Sequence, residues 1–350
     1  MCNTENSIRL NVCDFGLSTE NRIAAFHFSV ACGCYYTLKM RSFFKKLLVL
    51  FITLFLVSAV TFCAFRIIPG DPALLMLGTE ASDEQLMRLR EDLGLDKSLS
   101  AQYAQWISGI FRGDFGQSIR YKKSVASLIK PRALVTLSLG GLSLLAISAA
   151  GIFLGIFSAK KDERPVLNFL TTLALSVPNF YLSVIIIWIF GLTLHLFVPG
   201  QFVPFSENPI AFFKSLFFPV LTIALPESAI LAKYVRAAVL GEKRLGYVRT
   251  ARSKGAKENA VFFNHILKNA IVAVFPLLGM IAGSVFSGSI IVEQIFGIPG
   301  IGRLLISAVS SRDFPLTQAL VLYIAVIVVT INFAVDVIVQ FIDPRIRLEK

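Results

Sequence analysis

Apolar residues gather along this chain in long, nearly unbroken runs. The alternating or every-third-residue patterns of soluble strands and helices are rare. Runs of about 20 residues or more, the length a helix needs to cross a bilayer core, fall at residues 46–67, 133–158, 167–197, 212–239, 270–293 and 317–341. The pattern predicts six membrane-crossing helices rather than a barrel, whose strands would show short alternating segments. The third and fourth runs are long enough to tilt or to reach beyond the hydrocarbon. Between the first and second runs lies a more polar stretch, residues 68–132. Within it, ASDEQLMRLREDLG and AQYAQWISGIF read as short amphipathic helices, the second lying at the outer surface. Ser82 is placed to cap the first and Gly94 to end it. The expected architecture is an all-α integral membrane protein of about six helices, with an extracytoplasmic loop between helices 1 and 2.

Composition agrees: 55% of the 350 residues are hydrophobic and 16% are charged. A soluble domain of this length cannot hide so much apolar surface. The formal charge of +12 has a membrane explanation, because Lys and Arg collect on the cytoplasmic side. Lys39, Arg41, Lys45 and Lys46 precede the first run. Lys160, Lys161 and Arg164 join the second to the third, and a dense basic group from Lys233 to Lys268 joins the fourth to the fifth. Arg345, Arg347 and Lys350 come after the sixth. The opposite short loops carry Lys214, Arg303 and Arg312. Both termini are therefore expected in the cytoplasm. Lys122, Lys123, Lys130 and Arg132 argue the other way, but they belong to a loop of more than 60 residues, and long loops translocate largely regardless of charge. No basic domain stands outside the spans to bind nucleic acid.

Four of the five cysteines lie in the first 34 residues, so the rest of the chain offers no disulfide framework or zinc cage. With three histidines in all, a metal site is not expected. Residues 1–39 differ in composition from the rest of the chain, and MRSFFKKLLVLFITLF from Met40 has the form of an inner-membrane start. The reading is an N-terminal extension over 1–39, either an over-extended start or a short cytoplasmic tail, and a transmembrane domain over 40–350 with its core at about 130–340.

The connection GYVRTARSKGAKENAVFFNHILKNA, residues 246–270, is more than a basic loop. VLGEKRLGYVRTARSKG has helical periodicity. Gly255 is placed to stop the helix in a left-handed conformation, with Arg252 and Lys254 suiting its C-terminal dipole. AKENAVFFNHILKNA then forms a second helix leading into the fifth span. Val248, Ala251 and Gly255 fall on one small, smooth face, and Arg249 and Arg252 are surface neighbours whose forked donors suit carboxylates. The element, over about residues 242–270, suits docking into a groove of a soluble partner, against the plainer reading of a topology-setting basic loop.

Polar groups inside spans are functional candidates. Glu227, after Pro226 in the fourth span, is a candidate for the pathway, where it would attract a cationic substrate end; pairing with a neighbouring helix is the alternative. Glu293 and Asp336 lie nearer span ends, where hydration or pairing is expected, and His195 stands alone. Gly279, Gly283 and Ser287 recur every four residues, a stripe that permits close helix contact, either with a sister subunit at a pore or within the chain. Pro178, Pro226 and Pro276 are candidate kinks. The dipeptide GK never occurs, so there is no Walker A phosphate cradle, and FGIPGIGR reads as a turn-rich loop near a gate.

Several segments together resemble one family. RTARSKG, Arg249 to Gly255, resembles the EAA-x3-G element of ABC-importer permeases, and GYVRTARSKGA resembles its form in the dipeptide/oligopeptide/nickel permease family. Arg249 and Thr250 stand where the general pattern has Glu and Ala, and His265 and Lys268 where it has Ile and Pro. FRIIPGDPA, GDFGQSIRYKKSVASLIKPRALVTLSL, SVPNFYLSV, VEQIFGIPGIGRLLISAVSSRDFPL and DPRIR resemble further family segments, in order, from about Met40 to Arg345. The order most resembles the B-type permease subunit.

The resemblance implies the type I ABC-importer permease fold and import of di- or oligopeptides across the bacterial cytoplasmic membrane, with nickel or another small solute as alternatives. It implies that Tyr247, Val248, Arg249, Thr250, Ala251, Arg252, Lys254 and Gly255 couple to an ATPase. The implied partners are a homologous second permease, two ATP-binding subunits that hold ATP and Mg, and an extracytoplasmic solute-binding protein. The chain itself would hold no cofactor and would not be an enzyme. A secondary transporter or channel is the remote alternative, since no inverted repeat is visible.

Overall fold

Helices account for nearly all of the regular structure, because in an apolar slab each backbone N–H must find its acceptor within its own segment. The computed structural model describes residues 43–65, 74, 82–92, 95–160 and 165–342. The expectations placed on residues 1–39 and Met40, on PGDP at 69–72, on Gly94, on 161–164 and on DPRIR at 343–347 lie outside these residues. Among the described residues the sole extended pairing is an isolated bridge between Gln117 and Ser124.

The described residues form twelve helices. α1 spans Phe43–Phe65, α2 Asp83–Asp92, α3 Leu99–Phe111 and α4 Val125–Lys160. α5 spans Pro165–Ser176, and α6 Asn179–Ile186, continued by a π-helical turn over Ile187–Thr193. α7 covers Pro209–Lys243 and α8 Gly246–Ser253. α9, Glu258–Val261, passes through a π-helical turn at Phe262–Leu267 into α10, Lys268–Phe296. α11 spans Ile301–Ser310 and α12 Phe314–Ile342. The described residues from Leu50 onward form one compact unit.

Among the described residues, five stretches are long and apolar enough to cross a membrane unbroken: α1, α4, α7, α9 to α10, and α12. The third expected span is not one straight helix. Phe169–Ser176 and Asn179–Thr193 meet at 99°, with Pro178 extended at φ −62°, ψ 145° between them. Proline lacks the N–H that would continue the ladder and pushes the preceding residue out of the helical region. Pro226 and Pro276, also expected as kinks, lie inside the continuous helices α7 and α10.

The core is built on α4, α7 and α10, with α12 against α10 and α5 against α7. Close approach comes from glycines spaced four apart, the membrane form of tight helix packing. A Cβ on Gly151 would lie 2.7 Å from the Leu231 side chain, and one on Gly155 2.5 Å from that of Val235. Three turns earlier on α4, a Cβ on Gly140 would lie 2.6 Å from the ring of Phe286 in α10. Leu139, Ile147, Leu231, Val235 and Val285 fill the space between these helices and are buried.

The expected cap helices form. Ser82 and Gln85 cap α2 reciprocally: the Gln85 N–H donates to Ser82 Oγ at 3.3 Å, and the Ser82 N–H to Gln85 Oε1 at 3.2 Å. This is a capping box. α3 packs one face onto α1. Tyr103 and Trp106 cluster with Phe62, and the Tyr103 hydroxyl lies 2.7 Å from Ser58 Oγ.

Candidate functional site

The helix expected over residues 239–255 is divided between two helices. α7 ends at Lys243, Leu245 is extended at φ −74°, ψ 149°, and α8 begins at Gly246. The break lets the chain turn so that Val248 is fully buried. Val248 joins the core cluster with Val261, Phe262 and Ile266, and Ala251 packs against it. Of the small face of α8, Val248 and Ala251 therefore lie against the chain's own core, and Gly255 is exposed. Tyr247, Arg249, Thr250, Arg252, Ser253 and Lys254 are exposed.

Gly255 stops the element as expected, at φ +79°. No atom lies within 4 Å of where its Cβ would be, so the left-handed backbone, and not space, calls for glycine. Arg252 does not hold a free fork: its Nη2 and Nε donate to the two oxygens of Glu258 at 2.6 and 3.1 Å. Tyr247 donates to Glu242 Oε2 and accepts from the Asn269 amide at 3.0 Å. The end of α4 is fastened to the same region. The Lys243 ammonium donates to the Ala159 carbonyl at 2.5 Å, and Lys160 lies 5.4 and 5.3 Å from the ring centroids of Phe262 and Phe263.

The second candidate region lies within the spans. Glu227, half-buried in α7, accepts a hydrogen bond from Ser284 of α10 at 2.8 Å. It is joined to the neighbouring helix and still reaches open surface. The Gly279–Gly283–Ser287 stripe is divided. A Cβ on Gly279 would come within 2.8 Å of Val335, and one on Gly283 within 3.7 Å of Val328, both on α12. At these two positions the stripe makes a contact inside the chain. Ser287 is exposed and bonds back to the Gly283 carbonyl at 3.1 Å.

Glu293, expected to be hydrated or paired, is fully buried and paired through hydrogen bonds. After Gly297, left-handed at φ +71°, the chain folds back and places the N-terminus of α11 over the carboxylate. Thr136 of α4 donates to Oε1 at 2.7 Å, and the N–H groups of Gly302 and Arg303 donate to Oε2 at 2.7 and 3.2 Å. Thr136 in turn accepts from the Ile301 N–H at 2.8 Å. A carboxylate is well placed against free N–H groups at a helix start. FGIPGIGR is thus a socketed turn. Side chains on Gly300 and Gly302 would overlap the Glu293 carboxyl and the Ile290 backbone. The sequence signal was present, an in-span glutamate seven residues before G-I-G, but its partner Thr136 is 157 residues away.

Comparison with known proteins places this geometry. Residues 147–348 match the family described as binding-protein-dependent transport system inner membrane component. Residues 39–140 match the N-terminal part of such membrane components. A protein of Brucella abortus (strain 2308), named as a peptide transport system permease, is 36% identical over 84% of this chain and 95% of its own length. The glutathione transport system permease protein GsiC of Escherichia coli (strain K12) is 35% identical over 87% of this chain and 97% of its own. A peptide ABC transporter permease of Sinorhizobium fredii (strain NBRC 101917 / NGR234) is 32% identical over 83% and 94%. With more than half of its length matched and relatives aligned over most of theirs, the chain belongs to the family of binding-protein-dependent transport system inner membrane components, as an ABC-importer permease of the peptide type.

Proposed function

We propose that this chain forms part of the pore of an ATP-driven importer that carries di- or oligopeptides across the cytoplasmic membrane. The observation that carries the reading is α8. It is a short helix set off from the span before it, anchored by buried Val248, with Arg249, Thr250 and Lys254 facing outward. Such a helix suits a cleft in an ATPase subunit, and ATP and Mg would be held by that partner. The pore would be completed by a homologous second permease and fed by an extracytoplasmic binding protein. α8 and both termini would lie on the cytoplasmic side, in keeping with the basic residues around them. Glu227 would meet the cationic end of a substrate in the pathway, with exposed Ser287 on the adjacent helix; Gly279 and Gly283 would shape the wall by letting α12 pack closely behind it. The names of the relatives favour peptides, glutathione included, over nickel or another small solute.

The test is to purify the tagged chain in mild detergent and identify by mass spectrometry what remains bound. Recovery of a homologous permease and P-loop ATPases supports the reading. Recovery of this chain alone, active in proteoliposomes without ATP, would establish a secondary transporter instead.

A further inference from the structure

We propose that the Tyr247 hydroxyl is the joint that makes α8 move as one body with both α7 and α10. This inference rests on the coupling role proposed for α8 and adds the residue through which that role is exercised. The covalent links at the two ends of α8 are poor at carrying motion. Arg244 and Leu245 lie between α7 and α8, with Leu245 extended. At the other end the chain leaves through Gly255, left-handed and without neighbours at its Cβ position, before α9 begins at Glu258. A push on α8 would be absorbed in these links unless side chains bridged them.

One side chain bridges both. Tyr247 sits in the first turn of α8. Its hydroxyl donates to Glu242, which belongs to the last turn of α7, and accepts from the Nδ2 of Asn269, in the first turn of α10, at 3.0 Å. It also lies 3.4 Å from the His265 carbonyl in the π-helical turn before α10. A carboxylate acceptor makes the first bond a strong one. Two helices that line the core thus meet at one oxygen of the outward-facing helix. Buried Val248 holds the middle of α8, and the Arg252–Glu258 pair holds its far end. Tyr247 is a positioning residue: it need not touch the ATPase to carry that subunit's movement.

The test uses the full chain assembled with its ATPase subunits in lipid nanodiscs. The five native cysteines are replaced by serine, and spin labels are attached at Ser253→Cys on α8 and Met280→Cys on α10. With Tyr247 present, the distance between the labels is expected to be the same without nucleotide and with ATP plus vanadate. In Tyr247→Phe the ring remains but neither bond can form. The labels are then expected to shift on nucleotide binding by about 2 Å or more, the size of helix displacements in switching proteins, while the thermal midpoint is retained. Asn269→Leu removes the donor from the other side and is expected to give the same shift, with no further change in the double variant. If Tyr247→Phe does not assemble, Asn269→Leu decides. A distance that ignores nucleotide in the variants overturns the joint, as does a distance that already changes in the parent. A parent chain that recruits no ATPase subunit overturns the proposed function itself, and this inference with it.

Discussion

The hydroxyl of Ser118 donates to the carboxylate of Asp313 across 195 residues of sequence, and both side chains are buried. The same carboxylate oxygen accepts the Arg120 N–H at 3.2 Å, and the other caps α12 through the Leu316 N–H at 3.3 Å. Arg120 continues the contact to Ser307 of α11 at 3.0 Å. The segment before α4 is thereby fastened to the turn between α11 and α12. Asp313→Ala would leave three donors without this acceptor, at about 1–3 kcal/mol for each that stays buried. Asp313→Asn keeps an acceptor oxygen. Thermal unfolding in detergent is expected to rank the wild type above Asp313→Asn, and Asp313→Asn well above Asp313→Ala. Equal midpoints would show that the brace contributes nothing.

The α4–α10 contact makes a paired prediction. Gly140→Ala would press a methyl group against the Phe286 ring at 2.6 Å, an overpacking that costs about 1–3 kcal/mol. Phe286→Leu removes the crowded outer ring atoms. In the Phe286→Leu background, Gly140→Ala is expected to cost much less than in the wild type. A double-mutant cycle read by thermal unfolding checks this, and additive losses would contradict it.

The socket at Glu293 separates glycines that look alike in sequence. Gly302→Ala would overlap the Ile290 backbone, whereas a Cβ on Gly141 meets nothing within 4 Å. Gly141→Ala is expected to be neutral or mildly stabilising, since alanine is favoured over glycine in a helix by about 1 kcal/mol. Gly302→Ala is expected to lower the thermal midpoint clearly. Similar midpoints for the two variants would mean that the α11 turn is not seated as described.

Glu227 and Ser284 test the pathway. Glu227→Gln keeps an acceptor for Ser284 and removes the charge, so assembly with partner subunits is expected to persist. Losing an attraction of about 1.4 kcal/mol would reduce uptake about tenfold. Ser284→Ala leaves the charge in place and is expected to have a smaller effect. Uptake assays on reconstituted complex decide, and full transport by Glu227→Gln removes this residue from the pathway.

Hydropathy made the spans legible, because a bilayer imposes one length on every crossing segment. Local chemistry made Gly255 and the Ser82 cap legible. What sequence left hidden depended on distant partners. Glu293 reads as a hydrated or paired end-of-span carboxylate, and its partners, Thr136 and the start of α11, show only in the fold. Val248 and Ala251 read as a docking face until the break at Leu245 rolls them inward. Gly151 and Gly155, in GIFLG, carry the same four-residue spacing as Gly279 and Gly283, but only the fold shows Leu231 and Val235 pressed against them. Pro178 is visible as a break, while the 99° bend it permits is not.

The most direct test of the coupling role is disulfide trapping between α8 and a cysteine in the cleft of the ATPase subunit. Arg249→Cys, on the exposed side, is expected to crosslink, with a yield that changes between nucleotide-free and ATP-bound states. Ala251→Cys, on the side packed against the core, is expected to crosslink poorly. Absence of any crosslink from Arg249→Cys in every nucleotide state would contradict the account of α8 as the helix that engages the ATPase.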